Sequence, residues 1–369
     1  MPDIIDSTVQ TAGLCRVVGG GTSMRILILG GSWFLGSAVL EEALLRGHEP
    51  TVFNRGRSRC PPAPAVHIRG DWENEQALAQ LGAAGPWDAV IDVAGVIPRI
   101  VRRCAAVLAS RVDRYVFVST VSAYRRWPYA PVTEESPLWA GVSPDHDPGT
   151  RIWDPDAYGP LKVGCERAIG SEVGMDRLSI VRPHVILGPR EYVGRLSWWL
   201  SRIARGGQVL VPGPPDRSIQ PVDVRDAARF IVDRAESSHC GVYNIASPRG
   251  RESFGDFVES CRVSTGSEAT PVWVDETWLE AEGVRQWTEL PMWRALPTAW
   301  AMATDRAEAV GLRCRPLSET VADTWAWMQA GGEAIAHSRA AEHGIATDRE
   351  TQLLAEWRRS YSGWQHGSD

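Results

Sequence analysis

Lysine is almost missing from this 369-residue chain: of 39 basic side chains only Lys162 is lysine, and the rest are arginine. A single surviving lysine points to a task that needs a compact, tunable ammonium and not a planar guanidinium. Excess positive charge is missing too. The net charge is −6 and the sequence pI about 5.8, which argues against nucleic acid as a main partner, because neutralising phosphates needs a basic surface. No apolar run approaches the ~18 residues of a membrane-spanning helix. The seven cysteines (15, 60, 104, 165, 240, 261 and 314) are odd in number, and no pair has zinc-site spacing. No metal is expected, and a reduced cytoplasmic protein with free thiols is. Residues 1–23 lack the basic start and apolar core of a secretory signal. They end in Gly19-Gly20-Gly21-Thr22-Ser23 and read as a flexible extension, or as a start taken too early, ahead of Met24.

The remainder has the composition of an ordinary globular protein, 44% hydrophobic and 23% charged, with an unusual 17 tryptophans. From Met24 the pattern alternates. Arg25–Leu29, Glu49–Asn54, Ala65–Ile68, Ala89–Val93, Arg114–Ser119 and Leu178–Arg182 read as strands. Ser37–Arg46, Glu75–Leu81, Ile100–Ser110 and Tyr158–Gly170 read as the helices between them. Strands and helices in turn predict an α/β fold with a doubly wound parallel sheet of Rossmann type. The expected organisation is an extension over 1–23, a dinucleotide-binding domain over 24–188, and a smaller substrate lobe over 189–329. Within the lobe, segment 222–247 should return to the sheet, through a helix at Val224–Glu236 and a strand at Gly241–Ala246. A last amphipathic helix is read at Ser318–Gln329, and a helical tail over 330–369.

Four stretches carry chemistry. Leu29-Gly30-Gly31-Ser32-Trp33-Phe34-Leu35-Gly36 follows a strand and opens a helix, the setting in which backbone N–H groups meet a pyrophosphate. Gly30 permits the turn and Gly36 close packing, while Trp33 stands where a middle glycine is common. At the end of the second strand, Asn54-Arg55-Gly56-Arg57 offers arginine in place of the acid that accepts from a ribose 2′-hydroxyl, so Arg55 and Arg57 favour a 2′-phosphate and NADP, with NAD the alternative. Asp71 is placed for the adenine amine, and small residues at Val93-Ala94-Gly95 let backbone approach a cofactor. Finally, Tyr158 and Lys162 are four apart on a helix and share a face. An ammonium beside the phenol should favour phenolate, which makes Tyr158 an acid/base, with Thr120 to orient a carbonyl.

Together these residues resemble the extended short-chain dehydrogenase/reductase superfamily, in its NAD-dependent epimerase/dehydratase-like branch, from about Met24 to Gln329. Arg182-Pro183-His184-Val185-Ile186-Leu187-Gly188-Pro189, Arg217 through Asp226, and Gly241-Val242-Tyr243-Asn244-Ile245 resemble further landmarks of that superfamily. The resemblance implies that Tyr158, Lys162 and Thr120 are catalytic, that Lys162 also holds the nicotinamide ribose, and that Pro183 and Val185 lie by the nicotinamide. It places Ser122 and Arg217 at the substrate. Tryptophans of the lobe, Trp198 and Trp199 above all, suggest an aromatic-lined pocket. Val121-Ser122 stands where sugar 4,6-dehydratases carry Asp-Glu, which argues against that elimination. The expected function is hydride transfer between nicotinamide and a small-molecule carbonyl or alcohol. The alternatives are a nucleotide-sugar epimerase with bound NAD, and a non-catalytic NAD(P)-sensing or RNA-associated binding protein. The helices Ile100–Ser110 and Tyr158–Gly170 correspond to those that often pair in dimers of the superfamily.

Overall fold

The structure, a computed structural model, describes residues 22–146, 148, 149 and 151–365. The expected extension lies, but for its last two residues, outside them, as do the last four residues of the tail.

Six strands of the N-terminal half, β1 (Arg25–Leu29), β2 (Glu49–Asn54), β3 (Val66–Arg69), β4 (Trp87–Asp92), β5 (Val112–Val118) and β6 (Leu178–Pro183), join Val242–Ile245 in one seven-stranded sheet. Every pairing is parallel, and the spatial order is Val242–Ile245, β6, β5, β4, β1, β2, β3. β1 is buried from Ile26 to Leu29 and β4 from Ala89 to Ile91. Such unbroken apolar runs arise when helices cover both faces of a sheet. On one face lie α1 (Phe34–Leu45) and α6 (Val224–Glu236), whose residues share a core with Ile26, Ile28 and Val116. On the other, α2 (Glu75–Ala84), α3 (Pro98–Leu108) and α4 (Pro155–Val173) bury Leu27, Leu29, Val90 and Phe117. The sequence periodicity located these elements to within a few residues. The helices differ by up to three residues at either end: α1, α3 and α4 begin two or three residues earlier, at Phe34, Pro98 and Pro155, and α2 and α4 run three residues further, to Ala84 and Val173. Proline at a first helical position loses no hydrogen bond.

Because β1 and β4 are neighbours while their connections run in opposite directions, the order reverses between them. A ligand crevice opens at such a switch point, at the carboxyl ends of the strands. A second core forms the lobe: α5 (Arg195–Ala204), α7 (Phe254–Thr265), the parallel pair Gln208–Pro212 and Thr270–Val274, and the helix Leu317–Gln329. The tail is not helical throughout. Apart from one 3-10 turn at Ser338–Glu342, residues 331–346 form an extended strap that leads to the helix Thr347–Gln365. That helix is tied back by Glu350, buried against the Arg202 guanidinium (2.6 Å) and the Leu210 N–H (3.0 Å). Among the described residues no helix is long and apolar enough to cross a membrane.

Candidate active site

The carboxyl ends of β1, β2, β4, β5 and β6 open into a cleft of about 1550 Å³ between the sheet, the lobe and the strap. Its floor is the glycine turn. Gly30 and Gly31 have φ of 113° and 77°, values that side chains disfavour. A Cβ on Gly36 would meet the Gly31 amide nitrogen at 2.7 Å, so α1 can enter this close to the turn only with glycine there. No side chain caps α1, so its first-turn N–H groups face the cleft with their dipole, an arrangement that suits a phosphate. Trp33 is 38% exposed and packs edge-on to Tyr192 (5.4 Å) and His337 of the strap (5.6 Å). The indole that replaces a middle glycine thus reaches across the cleft mouth.

At the end of β2, Asn54 is committed to structure: its amide donates to Gly30 O (2.7 Å), and its oxygen accepts from Gly56 N (2.8 Å). Arg55 and Arg57 line the cleft, exposed, and form no ion pair among the described residues. Asp71 lines it too, with one oxygen accepting from Glu73 N. The turn Val93-Ala94-Gly95 is shaped by a residue the sequence reading missed. Asp92, fully buried, accepts from Ala94 N (3.0 Å), Gly95 N (2.8 Å) and the Tyr115 hydroxyl (3.1 Å). Burial pushes its carboxyl up, against the pull of nearby Lys162. The turn fits an Asx motif, a signal the sequence does offer in Asp-Val-Ala-Gly.

Tyr158 and Lys162 lie one turn apart on α4, and both line the cleft with Thr120, Ser122, Pro183 and Val185. Gly159 brings them there: a Cβ at this position would collide with the Ser122 carbonyl oxygen, so the helix backbone rides directly on the Thr120–Ser122 turn. Thr120 is buried, and its hydroxyl accepts from Ser122 N (3.2 Å). Beneath it the Glu166 carboxylate accepts from the Ser119 hydroxyl and from two nitrogens of Arg182 (2.7 and 3.0 Å). Arg182 also donates to Tyr124 (3.1 Å).

The expected electrostatics of the pair is corrected by the structure. The Tyr158 phenol is pushed up, not down, by burial first and Tyr192 second, and the opposing cation is Arg339 of the strap. The Lys162 ammonium, 3% exposed, is taken up by Gly95 O (2.6 Å) and Val118 O (2.7 Å), 4.0 Å over the Phe117 ring. A buried ammonium must place its N–H groups on acceptors, and two strand-end carbonyls supply them. Burial pulls its own pKa down.

Three residues read as substrate contacts lie elsewhere. Trp199 is fully buried in the lobe core, edge-on to Phe254 and Phe257, its N–H on Pro291 O (2.7 Å). Trp198 packs beside it, and Arg217 is ion-paired with Glu276. None of the three lines the cleft. Adjacent positions on a helix diverge by about 100°, and here both indoles pack within the lobe. The aromatic wall is instead made by Trp127, Trp139, Trp153 and Trp287, with Trp153 stacked on Tyr158 at 5.7 Å.

A seven-stranded parallel sheet covered by helices on both faces, with glycine-rich turns at the ends of β1 and β4, is a Rossmann-type α/β fold. Residues 26–103 match the model of the NAD dependent epimerase/dehydratase family. Among curated relatives, the Arabidopsis thaliana chloroplast stem-loop binding protein of 41 kDa b is 23% identical, over 68% of this chain and 65% of its own. The 2-alkyl-3-oxoalkanoate reductase of Stenotrophomonas maltophilia is 26% identical over 56% and 63%. These alignments span just under two thirds of either relative. A UDP-glucose 4-epimerase of Yersinia pestis is 24% identical over 82% of this chain and 97% of its own. Among solved structures, Bordetella bronchiseptica WbmG in complex with NAD and UDP superposes with a TM-score of 0.64 at 18% identity, covering 87% of this chain and 99% of that one. A Thermotoga maritima UDP-glucose 4-epimerase with UDP-glucose gives 0.62 at 19%, covering 84% and 100%. At these identities the structures establish the fold.

Proposed function

We propose that the protein is an NADP-dependent oxidoreductase acting on a small-molecule carbonyl or alcohol. The observation that carries the reading is the convergence, in one cleft, of the glycine turn, the Tyr158–Lys162 pair and Thr120. The residues fit the cofactor. Gly30 and Gly36 leave a cradle that a Cβ would fill, and the free N-terminus of α1 suits a pyrophosphate. On this reading Arg55 and Arg57, exposed on the cleft and without an ion pair among the described residues, meet the 2′-phosphate. On the same reading Lys162 holds the ribose, and Pro183 and Val185 wall the nicotinamide, all three lining the cleft. When bound, the nicotinamide supplies or takes the hydride.

The chain's own residues handle the oxygen and its proton. Tyr158, kept as the neutral phenol by burial, is the form that donates to a carbonyl oxygen as that carbon is reduced. Thr120 orients the same oxygen, and Lys162 fixes the carbonyls of Gly95 and Val118 around the site.

The nucleotide-sugar epimerase reading is favoured by the curated relatives that are UDP-glucose 4-epimerases, one of them covered over 97% of its length. Stoichiometry separates the two. With a panel of aromatic and aliphatic carbonyl compounds, the reductase consumes one NADPH per product, seen as loss of nicotinamide absorbance. With UDP-glucose we expect neither turnover nor binding. Conversion of a UDP-sugar without net change in cofactor would replace this reading by the alternative.

A further inference from the structure

The lobe side of the cleft gathers positive charge that the proposed chemistry does not use. Arg294 reaches into the cleft with its guanidinium carbon 4.5 Å over the Trp287 ring and 5.8 Å over Trp127. Arg195 approaches the same Trp287 ring at 5.0 Å. Arg339 comes in from the strap, 6.0 Å over Trp153. Arg294 and Arg339 form no ion pair among the described residues. The Nε atoms of Arg294 and Arg195 are both buried without a hydrogen-bond partner. Only Arg195 has a carboxylate, Glu191, at 3.1 Å, and that carboxylate also accepts from the backbone N–H groups of Arg195 and Leu196.

Asp156 and the exposed Glu342 also line the cleft, but neither is ion-paired with these three guanidinium groups among the described residues, so the wall keeps positive charge that no salt bridge takes up. Charges so placed are costly unless paired. The like charges feel one another: burial first, and Arg195 next, hold Arg294 down to about 10. Arg339 likewise disfavours the charge on Arg195. A guanidinium stacked on an indole has its ring-facing side fixed and its N–H edge free. That presents a pre-oriented fork to a planar or tetrahedral oxyanion.

We propose that Arg294, with Arg195 and Arg339, forms an oxyanion-binding subsite between Trp127 and Trp287 that takes a carboxylate or phosphate group carried by the substrate. The inference deepens the oxidoreductase reading by naming an acidic substrate, and it rests on that reading only for the ligand being the substrate. Arg217, locked on Glu276 outside the cleft, takes no part. The site is distinct from the arginines at the end of β2, since Arg55 and Arg57 flank the glycine turn, whereas Arg195 and Arg294 of the lobe flank Trp287 and Arg339 of the strap flanks Trp153.

Binding to the full chain tests this without turnover. Benzoate, inorganic phosphate and UDP are titrated separately by tryptophan fluorescence, with and without saturating NADP⁺. We expect saturable binding of benzoate or of phosphate that survives NADP⁺. Which of the two binds tells a carboxylate substrate from a phosphorylated one. Arg294→Gln should weaken it at least ~10-fold, the loss of one charged hydrogen-bonding group, and Arg294→Lys should restore part. Arg339→Gln, on the strap, should weaken it with no burden on the core, and Arg217→Gln should leave it unchanged. Absence of binding by all three probes, displacement of the probe by NADP⁺, or unaltered affinity in both Arg294→Gln and Arg339→Gln would overturn the proposal. UDP binding lost in Arg294→Gln would keep the subsite and overturn the reductase reading. Anion binding with no NADPH binding would do the same.

Discussion

At Tyr158 two effects of opposite sign meet: burial and Tyr192 disfavour the phenolate, and Arg339 favours it. Burial wins, so the group is an acid through neutral pH. Reduction should proceed at constant rate across neutrality and fall only as the phenol ionises under alkaline conditions. Tyr158→Phe should lose ~10²–10⁴-fold in kcat, the usual contribution of a positioned acid, with NADPH affinity nearly intact. Lys162→Arg should lose activity as well, because the ammonium is enclosed by two carbonyls and the face of Phe117, where a planar guanidinium has no room. Steady-state kinetics with circular dichroism as the fold control checks both. Full activity in Lys162→Arg would remove the reason offered for a single lysine in an arginine-rich chain.

Helix α4 is placed by Gly159 more than by the residues that carry the chemistry. Its backbone rides on the Ser122 carbonyl, which cannot retreat because Thr120 and Ser122 are held in their own 3-10 turn. Gly159→Ala should therefore move Tyr158 away from Thr120. We expect a loss of about 1–3 kcal/mol in stability from overpacking and a drop in kcat larger than that loss explains. Chemical denaturation alongside kinetics reads the two separately, and an unaltered kcat would show that the close approach is unnecessary. The spacing of Tyr158 and Lys162 was legible in the sequence because it is local to one helix. The role of Gly159 was not, since glycine in a helix is also read as a mere weakness, and only the partner 37 positions earlier gives it meaning. The strap was misread as helical for a related reason. Its residues are held by long-range contacts, such as His337 with Trp33, Trp153 and Tyr192, and local composition carries no trace of them.

The sheet and the lobe are joined at His184. Its Nε2–H donates to Ala299 O (2.7 Å), its Nδ1 accepts from Val185 N (2.9 Å), and its ring stacks on Trp300 at 4.7 Å. Both ring nitrogens are committed to the neutral form, and burial lowers its pKa to about 4. Below pH 6.5 the unfolded chain takes up a proton that the folded one refuses. Stability present above that pH should fall between pH 6.5 and 4, by about 3 kcal/mol at most. Urea melts across that window should show the slope, and His184→Gln should flatten it. The same long-range assembly explains what the sequence left hidden in the site. The glycine turn and Arg55 are adjacent to strands that any periodicity reveals, whereas Arg195, Arg294 and Arg339 meet only because lobe and strap fold over the sheet. Trp198 and Trp199 looked like a pocket and turned out to pack the lobe, since composition does not say which face of a helix is inside. The central claim is that the cleft at the end of β2 is built for a 2′-phosphate, and titration of the purified protein with NADPH and with NADH by fluorescence tests it most directly. NADPH should bind at least ~10-fold tighter, about 1.4 kcal/mol, and Arg55→Ala should erase most of that difference. Equal affinities in the unaltered protein, or tighter binding of NADH, would contradict it.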